Sequence, residues 1–241
     1  MALVTGAGRN IGRAIALELA ANGASVAVNV RANKEQADAV VKDIESAGGK
    51  ALAIVADVGD RKAIEKMVAV TASHFGRIDF LINNAALRRE NSLDQMTDEE
   101  WREVMAVTLD APFYCVKSCL PHLKKSGAGA IVNIGGMSGH TGSKNRIHVV
   151  TAKAGLVGMT KALAHDLADD RVTVNLVVPG MVGTARPANF AEPHHHSLHH
   201  TLFGERGKSE DIAAIVCFLC GPRARYINGQ TIHLNGGAYL G

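Results

Sequence analysis

The stretch that decides the fold is "TGAGRNIG", residues 5–12, which follows an apolar run and opens a helical pattern. Gly6 permits a tight turn, while Gly8 and Gly12 let the backbone approach a ligand and let a helix pack closely on a strand. The helix N-terminus presents N–H groups and a positive dipole end to an anion. The stretch therefore predicts a turn that binds a dinucleotide pyrophosphate; the alternative is a glycine-rich turn that binds nothing.

Outward from this turn, short apolar runs alternate with longer helical patterns. The predicted strands span residues 2–6, 25–30, 51–58, 79–83, 130–135, 171–179 and 231–235. The predicted helices span residues 11–22, 34–47, 61–75, 98–124, 148–168 and 209–220. This alternation predicts an α/β fold in which a parallel sheet has helices on both faces.

The composition is that of a globular protein. Of 241 residues, 47% are apolar and 20% charged, and the formal net charge is +3. No long basic run and no membrane-length apolar run is present, so we expect a cytoplasmic protein that binds neither nucleic acid nor membrane. Buried thiols are the simplest interpretation of the four cysteines; the CxxC spacing of Cys217 and Cys220 leaves a metal or redox role as the alternative.

The irregular stretch at residues 180–208 breaks the periodicity, and its length predicts a substrate lid. Its five histidines are His194, His195, His196, His199 and His200. They either contact a substrate or are solvated, and because carboxylates and cysteines are not grouped with them, we predict no metal site. Before the helical pattern at residues 98–124, Thr97 and Glu100 have the spacing of a capping box.

The turn resembles the Thr-Gly-x-x-x-Gly-Ile-Gly motif of the short-chain dehydrogenase/reductase family. Further stretches are similar to motifs of that family: "DV" at residues 57–58, "NNAA" at 83–86, "PGMVGT" at 179–184 and "NGQTIHLNGG" at 228–237. The resemblance covers almost the whole chain. It implies a single doubly wound Rossmann domain with a seven-stranded parallel sheet over residues 1–241. It also implies a nicotinamide cofactor, a small-molecule substrate and a homo-oligomer, either a tetramer or a dimer.

The resemblance also implies which residues hold the cofactor. They are Gly6, Arg9, Asn10, Ile11, Gly12, Arg31, Asp57, Val58, Asn83, Ala85, Lys153, Pro179, Gly180, Val182 and Thr184. The acidic position that binds the ribose 2′-hydroxyl of NAD(H) falls on Val30, and Arg31 follows it. Arginine suits a 2′-phosphate, so the sequence favours NADP(H) over NAD(H), unless Arg9 and Arg31 are merely solvated.

Four residues carry the reaction in the resembled family: a tyrosine, a lysine four positions later, a serine and an asparagine. Lys153 matches the lysine. Val149, Gly136 and Thr108 stand at the tyrosine, serine and asparagine positions. Because valine has no proton to give, the pattern indicates either a different proton donor or a different use of the cofactor.

Three residues are candidates for catalysis: Lys153, Ser138 and His148. Lysine can act as a proton donor when burial shifts its pKa. Ser138 lies two residues after Gly136, so in an extended segment both would share a face; the alternative is a loop serine that bonds the local backbone. The pKa of histidine suits acid–base chemistry, but one helical step turns His148 about 100° away from position 149.

Three hypotheses about function stay open at this point. The first is an NADP(H)-dependent oxidoreductase that acts on a small carbonyl or alcohol substrate with an unusual proton donor. The second is a non-redox enzyme of the same fold, and the third is a cofactor-binding protein without catalysis. If Arg88 and Arg89 face the pocket, they favour an anionic substrate, whereas loop arginines are more commonly exposed.

Overall fold

The computed structural model describes residues 1–184 and 200–241. The strands are β1 (Ala2–Val4), β2 (Val26–Val30), β3 (Ala51–Val55), β4 (Phe80–Asn83), β5 (Ala130–Ile134), β6 (Thr173–Pro179) and β7 (Thr231–Leu234). The helices are α1 (Asn10–Ala21), α2 (Lys34–Ser46), α3 (Arg61–Phe75), α4 (Asp98–Met105), α5 (Ala111–Ser126), α6 (Ser138–Thr141), α7 (Ile147–Asp166) and α8 (Ser209–Cys220). A π-helical turn, Ala106–Asp110, joins α4 to α5, and a 3₁₀ turn, Pro222–Ala224, follows α8.

The seven strands form one sheet in the order β3-β2-β1-β4-β5-β6-β7, and every neighbouring pair is parallel. The predicted α/β fold with a seven-stranded parallel sheet is thus confirmed. The strand order reverses between β1 and β4. In a doubly wound sheet a ligand binds in the crevice outside the strand ends at this reversal, so the turn after β1 lies at the expected place.

Alternating residues of the strands serve the two faces of the sheet. On β1, Ala2 and Val4 pack into the core formed with α1, α2 and α8, whereas Leu3 packs into the core formed with α3 and α5. Successive side chains of a strand point to opposite faces of the sheet, and helices cover both faces. Both sets of side chains are therefore apolar, and each strand is a continuous apolar run in the sequence. Within residues 1–184 and 200–241, no helix has both the length and the apolar character of a membrane span.

Several predicted boundaries were wrong. The helical pattern at residues 98–124 contains the π-helical turn, and the strand predicted at residues 51–58 ends at Val55. The strand predicted from residue 171 begins at Thr173, because Arg171 adopts a left-handed φ of 57°. The capping box at Thr97 is half formed: its hydroxyl accepts a hydrogen bond from the Glu100 N–H at 3.2 Å, but the Glu100 carboxylate binds elsewhere.

Candidate active site

The turn between β1 and α1 is held by side chains from both neighbouring strands. After β4, Asn84 donates from Nδ2 to the carbonyl oxygens of Thr5 and Gly6 at 2.9 and 3.0 Å. The Thr5 hydroxyl accepts hydrogen bonds from the N–H groups of Asn84 and Ala85 at 3.0 and 3.1 Å. The start of the turn is therefore fixed to β4 at the crevice.

Asn29 fixes the same turn from β2. This buried side chain accepts a hydrogen bond from the Gly6 N–H at 3.3 Å and donates to the Ala56 carbonyl at 3.0 Å. Its own carbonyl accepts from the Ala7 N–H at 2.7 Å. Sequence reasoning missed Asn29 and Asn84; the available signals were an asparagine inside the apolar run "VAVNV" and the second asparagine of "NNAA".

Gly12 has no room for a side chain. A Cβ atom built there would lie 2.5 Å from Asn84 Nδ2 and 3.0 Å from Ala7 Cα. The close packing predicted for Gly12 is therefore confirmed, and it brings the start of α1 against the turn. These glycines form the kind of cradle that a dinucleotide pyrophosphate needs, so the residues fit a nicotinamide dinucleotide.

The middle position of the resembled motif is not glycine in this chain. Asn10 occupies it, and its φ of 52° lies in the left-handed region. The resemblance to the motif is therefore incomplete at this position. Asparagine is among the few non-glycine residues that adopt this conformation readily, which explains how the turn keeps its shape.

Two arginines follow the residues at which the glycine turn packs against the carboxyl end of β2. Arg31 follows the buried Val30, and its largely exposed side chain reaches Glu103 on α4 at 3.9 Å. Arg9 is exposed at the N-cap of α1. The turn packs tightly at this point, because a Cβ built on Gly8 would lie 2.7 Å from Val30 Cγ1. At the end of the strand, valine takes the position of the acid that would bind a 2′-hydroxyl, and Arg31 follows it where the 2′-substituent of the adenosine ribose is expected.

Three further residues that were predicted to contact the cofactor lie in different environments. The Asp57 carboxylate accepts a hydrogen bond from the Gly59 N–H at 2.8 Å, and Val58 is buried. The Asn83 side chain points into the protein and donates to Asn133 Oδ1 at 2.8 Å. The Asn83 side chain thus ties β4 to β5, whereas the Asn84 side chain faces the turn; the cofactor contact of Asn83 stays a prediction.

The predicted nicotinamide segment follows β6. Gly180 approaches the backbone of Asn235 so closely that a Cβ built on it would lie 2.7 Å from Asn235 Cα. Pro179 and Val182 are buried, and Thr184 is half-buried. Val182 forms a parallel bridge with Gly207, so the two described ends of the predicted lid lie side by side.

Four of the lid histidines, His194, His195, His196 and His199, lie outside the described residues, and the hypothesis about them stays a prediction. His200 is described and exposed.

Lys153 lies at the centre of the candidate catalytic face. Its Nζ donates to the Ile134 carbonyl, at the end of β5, at 2.7 Å, and the residue is 8% exposed. Burial, with smaller contributions from the charges of Arg88 and Arg146, lowers the pKa of Lys153 to about 7. A buried amine that titrates near neutral pH can donate or accept a proton there.

The positions that carry the serine, tyrosine and asparagine of the resembled family hold Gly136, Val149 and Thr108 in this chain. The three atoms nearest to a Cβ built on Gly136 belong to the Lys153 side chain and lie at 3.8 to 3.9 Å, so a serine Cβ would fit at that position. Val149 is buried one helical turn before Lys153. Thr108 lies in the π-helical turn, and its hydroxyl accepts a hydrogen bond from the Leu87 N–H at 3.2 Å. Thr108 therefore supports the loop after β4, and π turns of this kind are frequent at functional sites.

The geometry argues against Ser138 and His148 as proton donors. Ser138 begins the helical turn α6, so the extended-strand argument that aimed it with Gly136 was wrong. His148 has no exposed surface, and its Nε2 lies 3.2 Å from Glu100 Oε1. Asn91 also donates to Glu100, at 3.0 Å. His148 thus links the start of α7 to α4 and cannot touch a substrate in this conformation.

The four cysteines are free thiols. Cys217 and Cys220 lie on α8, and burial raises the pKa of both. A protonated, buried thiol is a poor metal ligand and a poor nucleophile, which favours the packing interpretation. Among the described residues, no group of three or more His, Cys, Asp or Glu side chains is arranged to hold a metal ion.

The parallel sheet carries a glycine turn at its switch point, and α7 carries a buried lysine next to the end of β5. Together these features are those of a dinucleotide-binding oxidoreductase site. The chain matches, over residues 6–239, the family described as enoyl-(acyl carrier protein) reductase. It belongs to the short-chain dehydrogenase/reductase family and is an oxidoreductase of that type.

Bacterial reductases are similar to this chain over almost their whole length. The chain is 41% identical over 240 residues to the 3-oxoacyl-(acyl-carrier-protein) reductase FabG of Staphylococcus aureus, covering 99% of this chain and 98% of that protein. It is 39% identical over 242 residues to the 3-oxoacyl-(acyl-carrier-protein) reductase of a Synechocystis species, covering 100% and 97%.

Solved structures show the same fold. A short-chain dehydrogenase from Burkholderia cenocepacia, in complex with NADP, has a TM-score of 0.91 and 38% identity, covering 98% of this chain and 96% of that one. A dehydrogenase/reductase from Sinorhizobium meliloti has a TM-score of 0.92 and 38% identity, covering 99% and 94%. The expectation of a homo-oligomer stays a prediction.

Proposed function

We propose that the protein is an NADP(H)-dependent oxidoreductase that interconverts a carbonyl and an alcohol, with Lys153 as the proton donor. The observation that carries the proposal is the buried Lys153 ammonium, which bonds the Ile134 carbonyl and whose side chain packs next to Gly136. Relatives named as 3-oxoacyl reductases support a 3-oxo compound as the first substrate type to test.

Reduction of a carbonyl to an alcohol requires a proton at the substrate oxygen. A bound nicotinamide cofactor supplies the hydride that adds to the carbonyl carbon. The Lys153 ammonium has three N–H groups, of which one bonds Ile134, so others can point to the substrate oxygen. Lys153 gives that oxygen a proton and is reprotonated from water. In the reverse direction the neutral amine takes the alcohol proton.

The preference for NADP(H) rests on the end of β2. Arg31 follows β2 directly, Arg9 follows Gly8, which packs against Val30, and Val30 replaces the acid that would bind a free 2′-hydroxyl. The NADP complex of the Burkholderia relative supports the same choice. Because the guanidinium matches phosphate geometry, we expect NADPH to bind about tenfold or more tightly than NADH.

Calorimetric titration of NADPH and NADH tests the cofactor, and absorbance at the nicotinamide band during reduction of ethyl acetoacetate and a panel of ketones tests turnover. Arg31→Ala should reduce the difference between the cofactors. The matched control is Arg13→Ala, which removes an exposed arginine of α1 that bonds Asp43. Tight NADPH binding without turnover on any carbonyl would contradict the proposed reaction, and no binding would contradict the cofactor.

A further inference from the structure

A cavity of about 480 Å³ lies at the amino edge of the sheet. Its lining includes Ala128, Arg171 and Asn228, which precede β5, β6 and β7, and Thr173, the first residue of β6. Because all strands are parallel, this edge lies opposite the carboxyl edge, where the glycine turn and Lys153 are found. The cavity is therefore separate from the candidate active site.

The wall of the cavity is fixed by the Arg225 side chain. Its Nη1 donates to the carbonyl oxygens of Ala128 and Gly129, both at 3.0 Å, and its Nη2 donates to the Arg171 carbonyl. These bonds join the segments before β5 and β6, while Asn228 bonds the backbone of α7 and β6. The cavity is therefore preformed, and we assign Arg225 no ligand contact because carbonyl groups already engage it.

Two polar groups in the lining remain available to a ligand. Thr173 is 5% exposed, and its Oγ1 makes no hydrogen bond to any residue that the structure describes. Such a hydroxyl is uncommon, because nearly all buried polar groups have a partner. Arg171 is exposed, and its guanidinium forms no hydrogen bond or ion pair within the described part of the chain. The adjacent Asp170 carboxylate bonds Lys124 instead, at 2.8 Å.

The lining carries two arginines and no carboxylate. Burial lowers the pKa of Arg225, and the charge of Arg171 lowers it further, so the two guanidinium groups are near enough to repel each other. An anion beside them would reduce this repulsion. Apolar residues supply most of the remaining lining, namely Ala128, Ala168, Val172 and Pro222. The cavity thus suits an organic anion with an apolar body, and its volume lies within the range of about 300 to 1,000 Å³ that is typical of small-molecule sites.

We infer that the cavity binds a small aliphatic carboxylate, which accepts hydrogen bonds from the Arg171 guanidinium and the Thr173 hydroxyl. A guanidinium matches a carboxylate in a bidentate geometry, and the Thr173 hydroxyl gains the partner that it lacks. The aliphatic chain packs on Val172 and the neighbouring alanines. This inference goes beyond the proposed function and does not depend on it.

A charged and a neutral probe of the same shape test the anion site. Hexanoate carries the carboxylate, and hexanamide is its neutral counterpart. In calorimetric titrations of the full chain, we expect hexanoate to bind roughly tenfold more tightly than hexanamide, because only the carboxylate forms charge-assisted hydrogen bonds. Equal affinity for the two compounds, or binding of neither, would overturn the inference.

The charge of Arg171 is tested by Arg171→Asn, which should weaken hexanoate binding by roughly tenfold and leave hexanamide unaffected. Asparagine is chosen because Arg171 has a left-handed φ of 57°, which asparagine adopts readily. Arg171→Gly serves if the asparagine variant does not fold. The matched control is Arg223→Asn, since Arg223 is exposed in the 3₁₀ turn and does not line the cavity. An equal effect of Arg223→Asn would overturn the assignment.

The hydroxyl of Thr173 is tested by a pair of substitutions. Thr173→Val keeps the shape and removes the hydroxyl, so hexanoate should bind several-fold more weakly, whereas Thr173→Ser keeps the hydroxyl and should retain the affinity. Urea unfolding checks that both variants are folded. Hexanoate affinity that is unchanged in Thr173→Val would remove this residue from the site and overturn the assignment.

The location of the bound anion is tested at the other edge of the sheet. Lys153→Met removes the buried amine of the candidate active site, and hexanoate should bind this variant as it binds the wild type. A tenfold loss in Lys153→Met would place the anion at the active site and overturn the inference. Hexanoate binding by a protein that reduces no carbonyl would contradict the proposed function and leave this cavity assigned.

Discussion

The glycine turn and the start of α7 lie at the same edge of the sheet but are stabilised in different ways. The charged residue of the turn, Arg9, is exposed, and the turn is fixed by hydrogen bonds that involve the side chains of Thr5, Asn29 and Asn84. At α7 the central group is the buried Lys153 ammonium, which bonds the Ile134 carbonyl beside further positive charge.

This difference suits two separate roles: the turn would bind the nucleotide, and the start of α7 would take part in the reaction. The turn has partners on β2 and in the loop after β4, so the proposed nucleotide site is fixed before a nucleotide binds. At the start of α7, burial and neighbouring positive charges disfavour the charged form of Lys153. Ionisable groups with such perturbed pKa values are most common at functional sites. Variants that remove one feature from each region test whether this division is correct.

The largest expected effect is the loss of the Lys153 amine. Lys153→Met keeps the length and removes the proton, so kcat/KM for carbonyl reduction should fall by roughly 10² to 10⁴. Steady-state assays at the nicotinamide band measure it. Lys153→Arg keeps the charge but cannot release a proton near neutral pH, so it should not restore activity. Restored activity in Lys153→Arg would show that charge, and not the proton, matters.

The next effect is on the pH profile. Since the pKa of Lys153 is lowered to about 7, chiefly by burial, the donor loses its proton as pH rises through 7. We expect kcat/KM for reduction to fall about tenfold per pH unit above that point. Arg88→Gln removes a neighbouring positive charge, so it should move this limb to higher pH. A profile that is flat from pH 6 to 9 would contradict the assignment of the donor.

The lowered pKa of Lys153 also makes the free energy of unfolding depend on pH, which can be measured without a substrate. Below pH 7 the folded and the unfolded chain both hold the Lys153 proton, and the cost of burying the charge is fully present. Between about 7 and the ordinary value of 10.5, the folded chain has released the proton and the unfolded chain has not, so stability rises with pH. Urea unfolding of wild type and Lys153→Met should show this slope only in the wild type.

A smaller effect is expected in the turn. Gly12→Ala places a methyl group against Asn84 and Ala7, and we expect it to cost about 1 to 3 kcal/mol of stability and to weaken NADPH binding. Gly158→Ala is the matched control, because a Cβ there meets no atom within 4 Å and alanine favours the helix by about 1 kcal/mol. Denaturant midpoints and NADPH titration measure both. A Gly12→Ala variant as stable as wild type would show that the turn is less constrained than its packing indicates.

The sequence predicted the turn better than the face of α7, for a physical reason. Glycine spacing and strand periodicity are local signals, so the sheet, its switch point and the tight packing of Gly12 were all predictable. The hydrogen bonds of Asn29 to Gly6 and Ala56 join residues more than twenty positions apart, and a single asparagine in an apolar run does not indicate its partners. The same holds for the pairing of His148 with Glu100, 48 residues away.

Errors at the site came from assuming a local conformation. Ser138 was placed in an extended segment, whereas the chain turns into α6 at that point. The pKa of Lys153 is lowered chiefly by burial and in smaller part by the charges of Arg88 and Arg146, whose approach needs the tertiary fold. Burial of a lysine on a helix was predictable from apolar neighbours, but the sign of the charges around it was not.

The smallest expected effect concerns Asn10, where the turn departs from the resembled motif. Asn10→Gly and Asn10→Ala remove the same side-chain amide, so their difference reports the backbone at a φ of 52°. Alanine strains that conformation, and we expect Asn10→Ala to be less stable than Asn10→Gly by about 1 kcal/mol, measured by urea unfolding. Asn145, with a φ of 60° away from the turn, is the matched control for the same pair of substitutions. If NADPH affinity falls for Asn10→Ala while Asn10→Gly and both Asn145 variants keep it, the left-handed conformation serves nucleotide binding; equal affinity in all four variants would show that it serves only the fold.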